Sequence, residues 1–205
     1  MAFLLFSMEI IRIPVGLYQA NAYVIKHEHQ VLIVDPGARL DKIQAHIRLD
    51  DQVLGILLTH GHFDHIGAVD ECSIIFKCPV YIEENEIEIV RTPEYNYSLT
   101  KKVSLKSKLT QYKPLQKLGA YTIEIIHAPG HTAGSVLIKI EDHLFTGDVL
   151  FKMDSGRTDL FSGSPQDMKR TLKMIRTLPP QLVIHPGHEE ETTLSDELKN
   201  NPSLQ

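Results

Sequence analysis

Four side chains able to bind a metal ion, His60, His62, Asp64 and His65, fall within six positions of the stretch Leu58-Thr59-His60-Gly61-His62-Phe63-Asp64-His65-Ile66-Gly67. Imidazole nitrogen and carboxylate oxygen suit zinc, iron or manganese, and no thiolate is among them. The apolar run Val53 to Leu58 leads into the cluster and reads as a buried strand. If the backbone stays extended just past it, His60 and His62 are two apart and point to the same side. Asp64 and His65 then sit where helical spacing begins. Histidines also cluster by chance in a chain that has 11. Four potential ligands on a strand-to-helix loop nevertheless select the metal reading.

Three later strands end in turns marked by Gly or Pro beside a further metal-capable residue: His131 in Pro129-Gly130-His131, Asp148 in Thr146-Gly147-Asp148 and His188 in Pro186-Gly187-His188. Such turns let a side chain project from the edge of a sheet, where ligands of open sheets bind. The total of five histidines and two aspartates is too many for one tetrahedral zinc. It suits two cations ~3.5–4 Å apart that hold a hydroxide between them. His127 and His185 lie on the strand side of their turns and read as structural or supporting. Asp35, at another strand end, either orients the loop or a ligand by a hydrogen bond or caps an ordinary turn.

The elements that must position these residues follow in order. Glu9 to Val15 and Ala22 to Lys26 read as a strand pair, with Phe3 to Phe6 as lead-in, and Val31 to Val34 as a fully apolar third strand stopped by Asp35-Pro36-Gly37. Helical spacing is expected over Leu40 to Leu49 and Ile66 to Ile75, a short strand over Pro79 to Ile82, and an acidic helix-like segment over Glu83 to Val90. The alternation argues for α/β layering. Between Arg91 and Gly119 periodicity is weak and six lysines collect. That stretch reads as a solvated loop or lid with short strands, and the alternative is a positive rim for an anionic substrate. Tyr121 to Ile126, then Val136 to Ile140 paired with His143 to Phe145, continue as strands. A helix is expected over Gln166 to Leu178 behind Ser164-Pro165, a last strand over Leu182 to Ile184, and a short polar tail.

The 205 residues suffice for one domain with a single core, residues 1–205. A net charge of −5 gives no general basic surface, so nucleic acid is not an expected partner. No stretch is long enough to span a membrane, and no leader pattern is visible, so the expectation is a cytoplasmic protein. Cys72 and Cys78 read as small buried residues rather than a redox pair. The oligomeric state is not legible.

The motif Thr59-His60-Gly61-His62-Phe63-Asp64-His65, followed in order by Pro129-Gly130-His131-Thr132, Thr146-Gly147-Asp148 and Pro186-Gly187-His188, resembles the metallo-β-lactamase superfamily over essentially the whole chain. The resemblance implies an αββα sandwich of two mixed sheets flanked by helices, with the site at one edge. It implies that His60, His62 and His131 hold one metal ion, that Asp64, His65 and His188 hold the other, and that Asp148 bridges. Within the superfamily the chain most resembles the glyoxalase II (hydroxyacylglutathione hydrolase) group, on Asp35-Pro36-Gly37, Gly156-Arg157-Thr158-Asp159, Glu191-Thr192-Thr193 and Asn200-Asn201-Pro202. Full-length glyoxalase II enzymes carry a C-terminal helical segment that binds glutathione. Here the sequence ends soon after His188, which leaves room for another thiol carrier.

The implied activity is hydrolysis of a small S-acyl thioester such as an S-lactoyl conjugate, with two divalent ions, zinc first and iron or manganese as alternatives. The hydroxide between the ions attacks the acyl carbon, one ion stabilises the oxyanion, and Asp64 also orients the nucleophile. Arg157 either meets a substrate carboxylate or pairs with Asp159 or another acid. Asn96 and Ser98 either reach substrate or brace their loop. The rivals are a mononuclear-iron persulfide dioxygenase, which shares a Gly-Arg-Thr-Asp motif, and a lactonase. A β-lactamase is less expected, because many of those enzymes place a cysteine where Asp148 stands. A nuclease would need an added domain, and a binding module without turnover would be expected to lack ligands.

Overall fold

The first six strands lie side by side in chain order: β1 (Glu9–Val15), β2 (Ala20–His27), β3 (Gln30–Val34), β4 (Gln52–Leu57), β5 (Val80–Ile82) and β6 (Leu109–Gln111). A second six-stranded sheet is built from β7 (Leu115–Leu118), β8 (Tyr121–His127), β9 (Val136–Ile140) and β10 (His143–Gly147). After a small ribbon of β11 (Leu150–Phe151) and β12 (Asp154–Ser155) it is completed by β13 (Val183–Pro186) and β14 (Thr192–Thr193). Both sheets are mixed: β3, β4, β5 and β6 run parallel in the first, β10 and β13 in the second. The computed structural model describes residues 8–205, so the expected lead-in at Phe3 to Phe6 lies outside the described residues.

Alternation sorts the side chains of the central strands into two cores. Leu32 and Val34 of β3 face the other sheet, where they meet Ile123, Ile138 and Phe145. Val31 and Ile33 face outward, onto a layer that includes Ile43, Ile66, Val69 and Val90 from the helices α1 (Leu40–Gln44), α2 (Phe63–Ile66), α3 (Val69–Phe76) and α4 (Ile87–Arg91). The second sheet is covered on its outer face by α5 (Pro165–Ile175) and α6 (Leu194–Asn200), through Met168, Leu172, Ile175 and Leu194. The layers are therefore helix, sheet, sheet, helix, as the sequence led us to expect. Strands buried on both faces are continuous apolar runs for this reason.

Four expectations need correction. The helix expected over Leu40 to Leu49 stops at Gln44, because the next N–H groups, of His46 and Ile47, bond three residues back as turns. The helix expected over Ile66 to Ile75 is broken at Gly67 and Ala68. Gly37 and Gly67 pack backbone to backbone there: a Cβ on Gly67 would lie 2.3 Å from the Gly37 carbonyl oxygen, and one on Gly37 only 1.5 Å from that of Asp64. The loop after β3 thus presses against the ligand loop, and only glycine permits it. The helix α5 begins as expected, with Ser164 accepting from the Asp167 N–H. It ends at Ile175 rather than Leu178, shortly before Pro179-Pro180.

The polar tail is structured. Leu194 and Leu204 are fully buried, each contributing about 2 kcal/mol. The buried Glu197 carboxylate accepts from Met153 N–H, Thr192 Oγ1 and Asn201 Nδ2, pinning the tail to the β11–β12 ribbon. In the Arg91–Gly119 stretch the short strands β6 and β7 form and all six lysines are exposed, with Lys101 on the wall of a cleft that also includes Asp64. Cys72 and Cys78 are buried and unpaired. Among the described residues no helix is long and apolar enough to cross a membrane.

Candidate metal centre

The strands β8, β10 and β13 all run toward one edge of the second sheet, since β8 and β10 are each antiparallel to β9. At that edge Val136 N–H donates to Thr59 O at 2.9 Å, Asn21 N–H to Gly187 O at 2.7 Å and Tyr23 Oη to Pro186 O at 2.7 Å. The end of β4 and the start of β2 in one sheet are thereby held against the start of β9 and the end of β13 in the other. All seven expected residues meet in this seam. His62 is extended (φ −69°, ψ 148°) and α2 starts at Phe63, so His60 and His62 project from extended chain and Asp64 and His65 from the first helical turn.

The imidazoles of His60, His62 and His131 converge, with ring centroids 4.6–4.9 Å apart. Beside them Asp64, His65 and His188 form a second group, and ligand atoms within each trio lie within 4.8 Å of one another. Asp148 stands between the trios. Its Oδ1 is 3.3 Å from His65 Nε2, and its Oδ2 is 3.6 Å from both His131 Nε2 and His188 Nε2. Gly187 lets this happen, because a Cβ there would lie 2.2 Å from Asp148 Oδ1.

Four of the five rings, those of His60, His65, His131 and His188, have one nitrogen held by an oxygen outside the trios. His131 Nδ1 meets the Arg157 carbonyl at 2.8 Å and His188 Nδ1 the Tyr18 carbonyl at 3.1 Å. A carbonyl only accepts, so both Nδ1 atoms carry the proton and each Nε2 faces the centre, that of His131 against His62 Nδ1 at 2.8 Å and that of His188 against the Asp64 and Asp148 carboxylates. His65 Nδ1 is fixed in the same way by Asp35 Oδ2 at 3.1 Å. His60 Nδ1 meets Thr59 Oγ1 at 3.1 Å, and Thr59 Oγ1 gives its own proton to Asp35 Oδ2 at 2.5 Å. Asp35 Oδ1 also accepts from the Thr59 N–H. Asp35, in left-handed backbone at φ 47°, is therefore both a turn residue and the support of the loop. Its oxygens are engaged, so it orients ligands rather than serving as one.

Buried polar atoms are normally satisfied. Among the described residues five buried side-chain atoms have no hydrogen-bond partner; His60 Nε2, His62 Nε2, His65 Nε2 and Asp148 Oδ1 belong to these clusters, and only Asp51 Oδ1 lies elsewhere. A nitrogen-and-carboxylate donor set with unsatisfied buried atoms fits divalent cations. Burial holds the imidazoles of His60, His62 and His131 in the neutral form a cation needs, His62 down to about 3. Burial acts on His65 and His188 in the same sense, but the Asp148 and Asp64 carboxylates outweigh it and raise both. Imidazoles in turn overcome the effect of burial on the two carboxylates, His65, His60 and His131 lowering Asp148 and His65 and His188 lowering Asp64.

The remaining candidates sit as follows. The Arg157 guanidinium makes a two-point contact with Asp159, at 2.7 and 2.8 Å, and only its backbone carbonyl reaches the centre. Asn96 Nδ2 donates to the Val103 carbonyl and its Oδ1 accepts from Ser98 N–H, while Ser98 Oγ accepts from Val103 N–H. These bonds fit the loop-bracing reading. Ser98 also lines a cleft of about 540 Å³ that opens beside Asp64 and is walled by Leu17, Tyr18, Phe63 and Leu99. His185 is buried between His143 and Glu191, and His127 is exposed. Three supports went unread in the sequence: Thr59 as the relay to Asp35, the Tyr18 carbonyl, and Glu86. The buried Glu86 carboxylate accepts from the N–H groups of Gly61 and Gly134. Burial pushes it up to about 7, against hydrogen bonds from Thr132, Gly134 and Gly61. Nothing in the run Glu83-Glu84-Asn85-Glu86 singles it out.

A four-layer sandwich with two clusters of metal-capable side chains at one sheet edge defines the class of a metal-binding αββα protein. The family model of the metallo-beta-lactamase superfamily matches residues 15–188, and the chain belongs to that superfamily of metallo-hydrolases. It is 37% identical over 202 residues to the protein named "Probable metallo-hydrolase YqgX" of Bacillus subtilis (strain 168), covering 94% of this chain and 96% of the relative. Among solved structures it is similar to the BLEG-1 B3 metallo-beta-lactamase, with TM-score 0.90, 35% identity and coverage of 96% and 100% of the two chains. It is also similar to TTHA1623 in a di-iron-bound form, with TM-score 0.83, 30% identity and coverage of 94% and 98%.

Proposed function

We propose that this chain is a two-metal hydrolase of small S-acyl thioesters, of the glyoxalase II kind. His60, His62 and His131 would hold one divalent ion, Asp64, His65 and His188 the other, and Asp148 both. The observation that carries this reading is the place of Asp148, whose two carboxylate oxygens face imidazoles of both trios. Two ions there would supply a nucleophile from water at neutral pH and Lewis acidity at the acyl oxygen. The di-iron form of the relative TTHA1623 supports a count of two.

The chain's own residues would do the rest. Asp35 and Thr59 fix the ring orientations of His65 and His60. The cleft beside Asp64 takes the acyl group against Leu17, Tyr18 and Phe63. A thiol ionises near pH ~8.5, so a thiolate leaves without a strong acid at the site. A second reading, hydrolysis of a cyclic amide, is favoured by the likeness to the BLEG-1 β-lactamase.

The test is turnover of S-lactoylglutathione by metal-analysed protein, with His60→Ala as control and nitrocefin, a lactone and glutathione persulfide in parallel. Thioester turnover with two ions per chain, lost in the variant, is the expected result. One iron per chain with oxygen consumption on the persulfide would overturn the reading, and nitrocefin turnover alone would replace it with the second.

A further inference from the structure

Glu86 takes no part in either trio of candidate ligands, yet it joins the loops that carry one of them. It lies at the foot of α4 and is fully buried. Its Oε2 accepts the Gly61 N–H at 2.6 Å and its Oε1 the Gly134 N–H at 2.9 Å. Gly61 stands between His60 and His62, on the loop leaving the first sheet. Gly134 is three residues beyond His131, on the loop between two strands of the second. One carboxylate thus ties the loop that carries His60 and His62 to the loop that follows His131.

A carboxylate is costly to bury, and removing or neutralising it leaves backbone donors beside the ligands without a strong acceptor. We propose that Glu86 is a positioning residue that presets the spacing of His60 and His62 relative to His131, so that the three-histidine site is formed before a divalent ion arrives. This rests on the metal reading above.

Glu197 is a built-in comparison. It is equally buried and also bonded to a backbone N–H, but its partners Met153, Thr192 and Asn201 lie in the C-terminal region and carry no candidate ligand. The experiment titrates metal-free full-length wild type, Glu86→Gln and Glu197→Gln with Zn²⁺ against a chromophoric chelator, and records the Co²⁺ absorption spectrum of each. In Glu86→Gln an amide NH₂ must face one of the two N–H donors and release that loop. The expected result is about 10- to 100-fold weaker binding of the tighter ion and an altered Co²⁺ spectrum, with both unchanged in Glu197→Gln even where its melting temperature falls. Equal affinity of Glu86→Gln and wild type, or an equal loss in Glu197→Gln, would overturn the proposal.

A second measurement needs no variant. In metal-free wild type the Gly61 and Gly134 amides should stay protected from hydrogen exchange. Protection that appears only with the ion would show that the ion, not Glu86, sets the spacing. A wild type with protected amides that binds no ion would refute the metal reading instead.

Discussion

The two trios at the sheet edge are built from similar residues but in different surroundings. His60, His62 and His131 are all imidazoles and at most 5% exposed. Burial keeps them neutral, and they are clasped between the two sheets. Asp64 and His188 have side chains 17% and 23% exposed, and Asp64 borders the cleft. In their trio the facing Asp148 and Asp64 carboxylates outweigh burial and raise His65 and His188, while the imidazoles lower Asp64. The contrast teaches a division of labour: a closed, neutral site that fits a tightly held ion, and an open, ionic one beside which substrate can arrive. Asp148 belongs to both.

Three perturbations probe that contrast, in order of expected size. Asp148→Asn removes the charge shared between the trios. Thioester turnover should fall on the order of 10³-fold or more, and metal analysis should show fewer than two ions per chain. Gly187→Ala would push a Cβ into Asp148 Oδ1 and against His65 Cε1. Turnover should drop roughly 10²-fold, as a displacement of about 1 Å does, and the open site should lose its ion before the closed one. The smallest effect concerns the strand that delivers His188. Burial holds the His185 imidazole down at about 4, against the opposing pull of Glu191. Its unfolded value is near 6.5, so the unfolded chain binds the extra proton as pH falls. The stability His185 supports is full above that value and is lost as pH falls toward 4. His185→Gln should therefore lose less melting temperature than wild type between pH 7 and pH 5.

The legible and illegible parts of the centre differ in the range of the contacts involved. His60, His62, Asp64 and His65 stand out because strand end, loop and helix start are contiguous, so local periodicity aims them. His131, Asp148 and His188 stand out because each follows a Gly- or Pro-marked strand end. The supports of these ligands act across the seam instead. Asp35 reaches Thr59 and His65, 24 and 30 positions away, and Glu86 reaches Gly61 and Gly134, 25 and 48 away. No local pattern encodes such pairings. The break at Gly67 is of the same kind, since it answers to Gly37 in a distant loop. The tail reads as polar because Leu194 and Leu204 are sparse. Its order comes from those two buried leucines together with the Glu197–Asn201 bond.

The most direct test of the two-site account is stepwise removal of metal by a chelator from wild type and His188→Ala, with ions counted per chain at each step. The account predicts two ions per wild-type chain leaving in two phases, and only the slow, tightly held phase in the variant. A single ion in wild type, or two ions leaving in one phase that His188→Ala does not alter, would contradict it.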